Sequence, residues 1–95
     1  MGFNNKIIII TGASKGIGNS IARSFHLRGA NVCLISRSKT LKKTFKYFAS
    51  NKKNLFFIGD VTDEKFIKKV FKIIYKKNNK IDALINNAGV SGLES

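Results

Sequence analysis

Apolar and polar positions come in blocks along this chain, and the period changes from block to block. Ile7-Ile8-Ile9-Ile10 is an unbroken apolar run, and a strand is expected from Lys6 to Thr11. A run without alternation is the pattern of a strand covered on both faces. From Gly16 to about Arg28 the period becomes helical, with Ile17, Ile21 and Phe25 one turn apart on one face. Gly29 follows where a left-handed residue readily ends a helix. Asn31 to Ser36 is a second apolar strand, and Leu55 to Ile58 a third, closed by Gly59. Between them Thr40 to Ser50 reads as a helix, with Leu41, Phe45 and Phe48 inward and Lys42, Lys43 and Lys46 outward.

The last helix has the sharpest pattern. Thr62 or Asp63 can cap it, and Asp63 and Glu64 place negative charge at its positive end. Phe66, Ile67, Val70, Phe71 and Ile74 make the apolar stripe, and Lys65, Lys68, Lys69, Lys72 and Lys76 the polar face. Lys76 and Lys77 suit its carboxyl end. Ile81 to Ile85 is a fourth strand. This β-α-β-α-β-α-β order predicts an α/β fold: a Rossmann-type doubly wound parallel sheet, incomplete, with about four strands in the order 3-2-1-4 and three helices. At 95 residues the chain makes one domain at most.

Chemistry enters at the first turn. Thr11-Gly12-Ala13-Ser14-Lys15-Gly16-Ile17-Gly18 runs from the first strand into the first helix. Glycines there allow a tight turn whose backbone comes close to a pyrophosphate, held at the positive end of the helix. Net charge changes the picture less. At +13 the chain is strongly basic, which admits a nucleic-acid partner. Yet lysines occupy almost every polar surface, and the Lys, Asn, Ile and Phe bias matches an AT-rich genome. The phenylalanines fall at core spacing and form no stacking platform, so nucleic acid is not the expected partner.

No segment has the apolar length of a membrane span. Met1 to Lys6 lacks the features of a signal peptide, and Lys6 stands where a myristoylation signal requires Ser or Thr. A cytoplasmic or organelle-matrix location is expected, with no membrane partner. The single cysteine, Cys33, lies in the apolar run Val32-Cys33-Leu34-Ile35 and is expected in the core. His26, beside Phe25 with no evident partner, is expected to be structural.

Two further motifs follow strands: Asp60-Val61 after the third and Asn86-Asn87-Ala88-Gly89 after the fourth. With the glycine turn, they make the chain resemble, over essentially all its residues, the amino-terminal half of a short-chain dehydrogenase/reductase. The 3-oxoacyl-acyl-carrier-protein reductases are the most similar members. The resemblance implies a nicotinamide dinucleotide cofactor bound at the carboxyl ends of the strands. It sets Gly12, Ala13, Ser14, Lys15, Gly16, Ile17 and Gly18 around the phosphates and ribose. It also implies that Asp60 accepts a bond from the adenine amino group, Val61 packs on the ring, Asn86 and Asn87 steady the central sheet and border the nicotinamide ribose, and Asn87, Ala88 and Gly89 belong to the cofactor site. A capping role for Asp60 competes with that reading.

Ser36 and Arg37 end the second strand, where NAD-binding relatives carry an acid for the ribose hydroxyls. Arg37, with Lys15, is suited to a 2′-phosphate instead, so NADP(H) is expected over NAD(H). The resemblance also implies a catalytic Tyr with a Lys four residues later. Tyr47 is followed at that spacing by Asn51, and Tyr75 by Asn79. The chain is therefore expected to be the amino-terminal part of a longer NADP-dependent reductase, inactive by itself, with the catalytic half beyond Ser95. That parent would act on a small-molecule or acyl-thioester carbonyl and form a homo-oligomer. A stand-alone dinucleotide-binding module and a basic nucleic-acid binder are the alternatives.

Overall fold

The computed structural model describes residues 2–88. Its elements run β1 (Ile7–Thr11), α1 (Gly16–Leu27), β2 (Asn31–Ser36), α2 (Leu41–Thr44), a 3-10 turn (Phe45–Phe48), β3 (Leu55–Ile58), α3 (Glu64–Asn78) and β4 (Ala83–Ile85). The four strands form one parallel sheet in the order β3-β2-β1-β4, as the sequence predicts. Every residue of β1 and β2 is buried, because helices cover both faces.

Side chains alternate along each strand, so the apolar runs divide between two cores. Ile8, Ile10, Val32 and Leu34 face α1, α2 and the 3-10 turn, where Ala22, Leu41 and Phe48 are fully buried. Ile7, Ile9, Cys33 and Ile35 face α3 and meet Val70 and Ile74, flanked by Phe66, Ile67 and Phe71. Burial pushes the Cys33 thiol up to about 12, so it stays protonated and packs as a small apolar group. Leu84 of β4 lies beside Ile9 in register but remains 49% exposed at the sheet edge.

Several expectations are corrected. The segment predicted as one helix from Thr40 to Ser50 is a single α-turn followed by a 3-10 turn. The tighter turn brings residues three apart into line, and the Phe45 and Phe48 rings stack with centroids 6.2 Å apart. It also turns the Phe48 carbonyl toward the amide of Asn54, which donates to it at 2.9 Å. Ile17 does not share the inward face of Ile21 and Phe25: at the first turn of α1 it is 71% exposed, while those two pack against the core.

His26 has partners that the sequence does not reveal. Its Nδ1 lies 3.1 Å from Nδ2 of Asn54, and its ring meets Tyr47 and Phe48 edge-on. Asn54 Oδ1 accepts the Val32 amide at 2.7 Å, which orients the Asn54 amide and makes His26 Nδ1 the acceptor. Its role is structural, as expected, but through a buried polar network.

The strand limits also shift. β4 begins at Ala83 because the carboxylate of Asp82, in place of a backbone carbonyl, accepts the Ile7 amide at 2.8 Å. The Asp82 amide donates back to the Ile7 carbonyl at 2.9 Å. Asp63 caps α3, accepting from the amides of Lys65 and Phe66. Among the described residues no helix is long and apolar enough to cross a membrane.

Two stability measurements follow from this packing. Phe48 is fully buried, and Phe48→Ala is expected to cost about 3–5 kcal/mol in urea unfolding. The Ile7 amide, aided by Lys80, holds the Asp82 carboxyl below the usual carboxylate range. A carboxyl lowered on folding contributes stability above its unfolded value of about 3.9, and that contribution disappears as pH falls through the folded value. Asp82→Asn is therefore expected to unfold more easily than the parent at neutral pH, with the gap closing below about pH 4.

Candidate functional site

The carboxyl end of β1 is the anchor of the site. Thr11 is buried, and its hydroxyl accepts the amides of Asn87 at 2.9 Å and Ala88 at 3.1 Å. Its own proton points to Asn86 Oδ1 at 3.0 Å. One side chain thus ties the loop after β4 to the loop after β1. Asn87 completes the tie by donating from Nδ2 to the Gly12 carbonyl at 3.2 Å.

Gly12 takes φ 63°, the left-handed region where a side chain is strained. A Cβ there would also come within 2.9 Å of Asn87 Nδ2 and 3.0 Å of the Ala88 backbone. At Gly18 a Cβ would collide with the Gly12 carbonyl, so this glycine is what lets α1 pack against the turn. Ala13 is buried, with its amide on the Ile35 carbonyl and its carbonyl accepting from Asn19 Nδ2. The Ser14 carbonyl accepts from the Thr44 hydroxyl at 3.0 Å. This loop is therefore held from three sides.

The start of α1 is electrically unfilled. Its N-cap, Lys15, makes no side-chain cap bond, and no acid occupies the first turn, Gly16 to Asn19. Free helical amides and the helix dipole favour an anion there. Inside the loop, the buried Ser14 hydroxyl has no hydrogen-bond partner. A buried orphan hydroxyl beside an uncapped helix start fits a phosphate-bearing ligand.

A cleft of about 190 Å³ opens beside this loop, lined by Gly12, Ser36, Arg37, Gly59, Asp60, Val61, Thr62 and Ala88. It gathers residues from the carboxyl ends of β1, β2, β3 and β4. Asp60 Oδ1 accepts the Thr62 amide at 2.8 Å and the Thr62 hydroxyl at 2.7 Å. Those bonds, with a smaller contribution from the Arg37 charge, hold its carboxyl below the usual range. Asp60 is an anionic acceptor at the cleft, and the capping role belongs to Asp63. Ser36 is buried, its hydroxyl accepting the Ser38 amide at 3.1 Å.

Six of the residues expected from the sequence thus line one cleft: Gly12, Ser36, Arg37, Asp60, Val61 and Ala88. Ala13, Ser14, Gly18 and Asn87 shape the adjoining turn, and Lys15, Gly16 and Ile17 stand exposed at its rim. Gly89 lies outside the described residues. The sequence reading missed Thr11, although a hydroxyl at the end of a fully apolar strand is a signal that it has buried polar partners. Gly59 and Thr62 were also missed as lining. A Cβ at Gly59 would displace the Phe66 ring, which packs over this turn.

A parallel sheet with a glycine turn after β1 and a cleft over the strand ends is the arrangement of a dinucleotide-binding α/β protein. The sequence profile of the short chain dehydrogenase family matches residues 6–95, and the chain belongs to that family. It is 38% identical over 92 residues to a 3-oxoacyl-[acyl-carrier-protein] reductase of Salmonella typhimurium, covering 96% of this chain and 37% of that enzyme. It therefore spans well under half the length of that relative. Among solved structures it is similar to glucose dehydrogenase of Caenorhabditis elegans in its apo form (TM-score 0.85, 31% identity), covering 96% of this chain and 40% of that one. It is also similar to a metagenomic short-chain oxidoreductase in complex with NADP (TM-score 0.83, 27% identity), covering 95% of this chain and 42% of that one.

Thr11→Val keeps the shape and removes the hydroxyl, leaving the Asn87 and Ala88 amides without their acceptor. The expected loss is about 1–3 kcal/mol by chemical denaturation. Thr11→Ser, which keeps the acceptor, is expected to retain most of the stability.

Proposed function

We propose that this chain is the NADP(H)-binding part of a short-chain oxidoreductase that reduces a carbonyl to an alcohol. The observation that carries the reading is the convergence of the left-handed Gly12 turn, Arg37 and Asp60 on one cleft at the carboxyl edge of the sheet. Family membership and a similar oxidoreductase in complex with NADP support it.

On this reading the free amides at the start of α1 and the Ser14 hydroxyl hold the diphosphate. Asp60 accepts from the adenine amino group, and Val61 supplies apolar contact to the ring. Asn87, Ala88 and Gly89 border the nicotinamide ribose. When bound, the nicotinamide would donate or accept the hydride. Proton transfer would fall to groups outside this chain, since neither Tyr47 nor Tyr75 has a lysine four residues on. The parent would be a cytoplasmic or organelle-matrix homo-oligomer acting on a small-molecule carbonyl, with a 3-oxoacyl thioester suggested by the similar reductase.

Arg37 and Lys15 would favour the 2′-phosphate. A charge-assisted bond contributes about 1.5–3 kcal/mol, and two would exceed a hundredfold preference for NADPH. Asp60 sits close enough for the two charges to interact, so part of the Arg37 charge is already offset within the apo cleft.

Arg37→Asp is expected to weaken NADPH binding by more than tenfold while NADH stays within about threefold, read by quenching of cofactor fluorescence. Equal losses for both cofactors would show that Arg37 does not read the phosphate.

A further inference from the structure

A lysine-lined cleft lies away from the proposed cofactor cleft. At the amino end of the sheet, a cleft of about 350 Å³ is lined by Asn5, Ile7, Asn31, Lys52, Lys53, Lys77, Asn78 and Lys80. That volume is within the range of about 300–1,000 Å³ typical of small-molecule sites. Five-residue β1 separates the two ends by roughly 15 Å, at about 3.3 Å per residue.

The lysines arrive from three separate segments: the loop before β3, the last turn of α3 and the loop before β4. Asp60, Asp63 and Glu64 all stand at the opposite end of the sheet, which leaves Asp82 as the acid near this cleft among the described residues. Asp82 Oδ2 is already shared between the Ile7 amide at 2.8 Å and Lys80 Nζ at 3.1 Å. It offsets Lys80, and Lys52, Lys53 and Lys77 gain no carboxylate from it.

The floor is polar as well as basic. Asn31 is buried there, held through Oδ1 by the Asn51 amide at 2.8 Å. Asn78 is tied back to the Ile74 carbonyl at 2.9 Å. Asn5, exposed at the mouth, adopts φ 67°. Ammonium groups are compact point charges that suit phosphoryl oxygens without requiring a planar fork. At physiological ionic strength the screening length is about 8 Å, so charges around a single cleft act together on one ligand.

We propose that this cleft binds a compact polyanion carrying several phosphoryl charges, independently of the cofactor cleft. The ligand chemistry is a short phosphate chain, free or as the tail of a nucleoside triphosphate.

The test is calorimetric titration of the whole chain with inorganic tripolyphosphate at about 0.15 M ionic strength. One-to-one binding is expected. Lys52→Gln/Lys53→Gln and, separately, Lys77→Gln are each expected to weaken it at least fivefold. The control Lys65→Gln/Lys69→Gln removes two charges from the solvent face of α3, away from the cleft, and is expected to change it less than twofold. Tripolyphosphate binding that ATP matches would assign the chain of phosphates as the recognised group. Tighter ATP binding that also needs Lys52 and Lys53 would assign the nucleoside triphosphate. Equal loss in the cleft pair and in the control, displacement of tripolyphosphate by NADPH, or no measurable binding would each overturn the proposal. A single-stranded oligonucleotide that binds more tightly, with a salt slope spanning many phosphates, would overturn it in favour of nucleic acid.

Discussion

Strand β1 is hydrogen-bonded to a neighbour on each side and packed on both faces, and the rest of the molecule is arranged around that double confinement. Water is excluded from all of its peptide groups, so each must find a partner within the protein. At its amino end the Asp82 carboxylate supplies one for the Ile7 amide. At its carboxyl end the Thr11 side chain performs the reverse service, accepting amides from the loop after β4. Both ends of the central strand are closed by side chains on β1 or next to β4. The loops that form the proposed cofactor cleft inherit their positions from those closures.

The same confinement extends to the loop beside the cleft. The Ala13, Ser14 and Gly12 carbonyls are each engaged by a side-chain donor, from Asn19, Thr44 and Asn87. Those bonds direct the loop's carbonyls into the protein, leaving the uncapped start of α1 to face an anion. The loop is preorganised for negative charge because its own negative ends are occupied elsewhere.

Charge is distributed unevenly between the two ends of the sheet. Acids gather at the carboxyl end, where Asp63 and Glu64 complement the start of α3 and Asp60 stands beside Arg37. The amino end is almost purely basic, with Asp82 already engaged. A chain with net charge +13 would be expected to carry diffuse positive potential. Within that field the fold sets a mixed cleft at one end of the sheet and a cationic one at the other.

Much of this was legible without coordinates. Unbroken apolar runs can be stable only when covered on both faces, and their alternation with amphipathic helices restricts the connections to parallel, right-handed crossovers. That logic yields four strands in the observed order, a cap for the last helix at Thr62 or Asp63, and the glycine turn after β1 from the residues themselves. Leu41, Phe45 and Phe48 illustrate where it stops. Their spacing suits an ordinary helix, but the ring packing and the reach of Asn54 impose a 3-10 turn.

Sequence alone therefore determined the order of elements, the direction of the sheet and the location of the glycine turn after β1, because those depend on local period and on which residues tolerate a left-handed backbone. Only the tertiary structure decided which polar side chains serve as connectors. Thr11, Asp82 and Asn54 lie 76, 75 and 22 residues from the amide partners named here, Asn87, Ile7 and Val32. Bonds over such separations leave no periodic trace in a chain, since they are set by where buried amides happen to lack a partner.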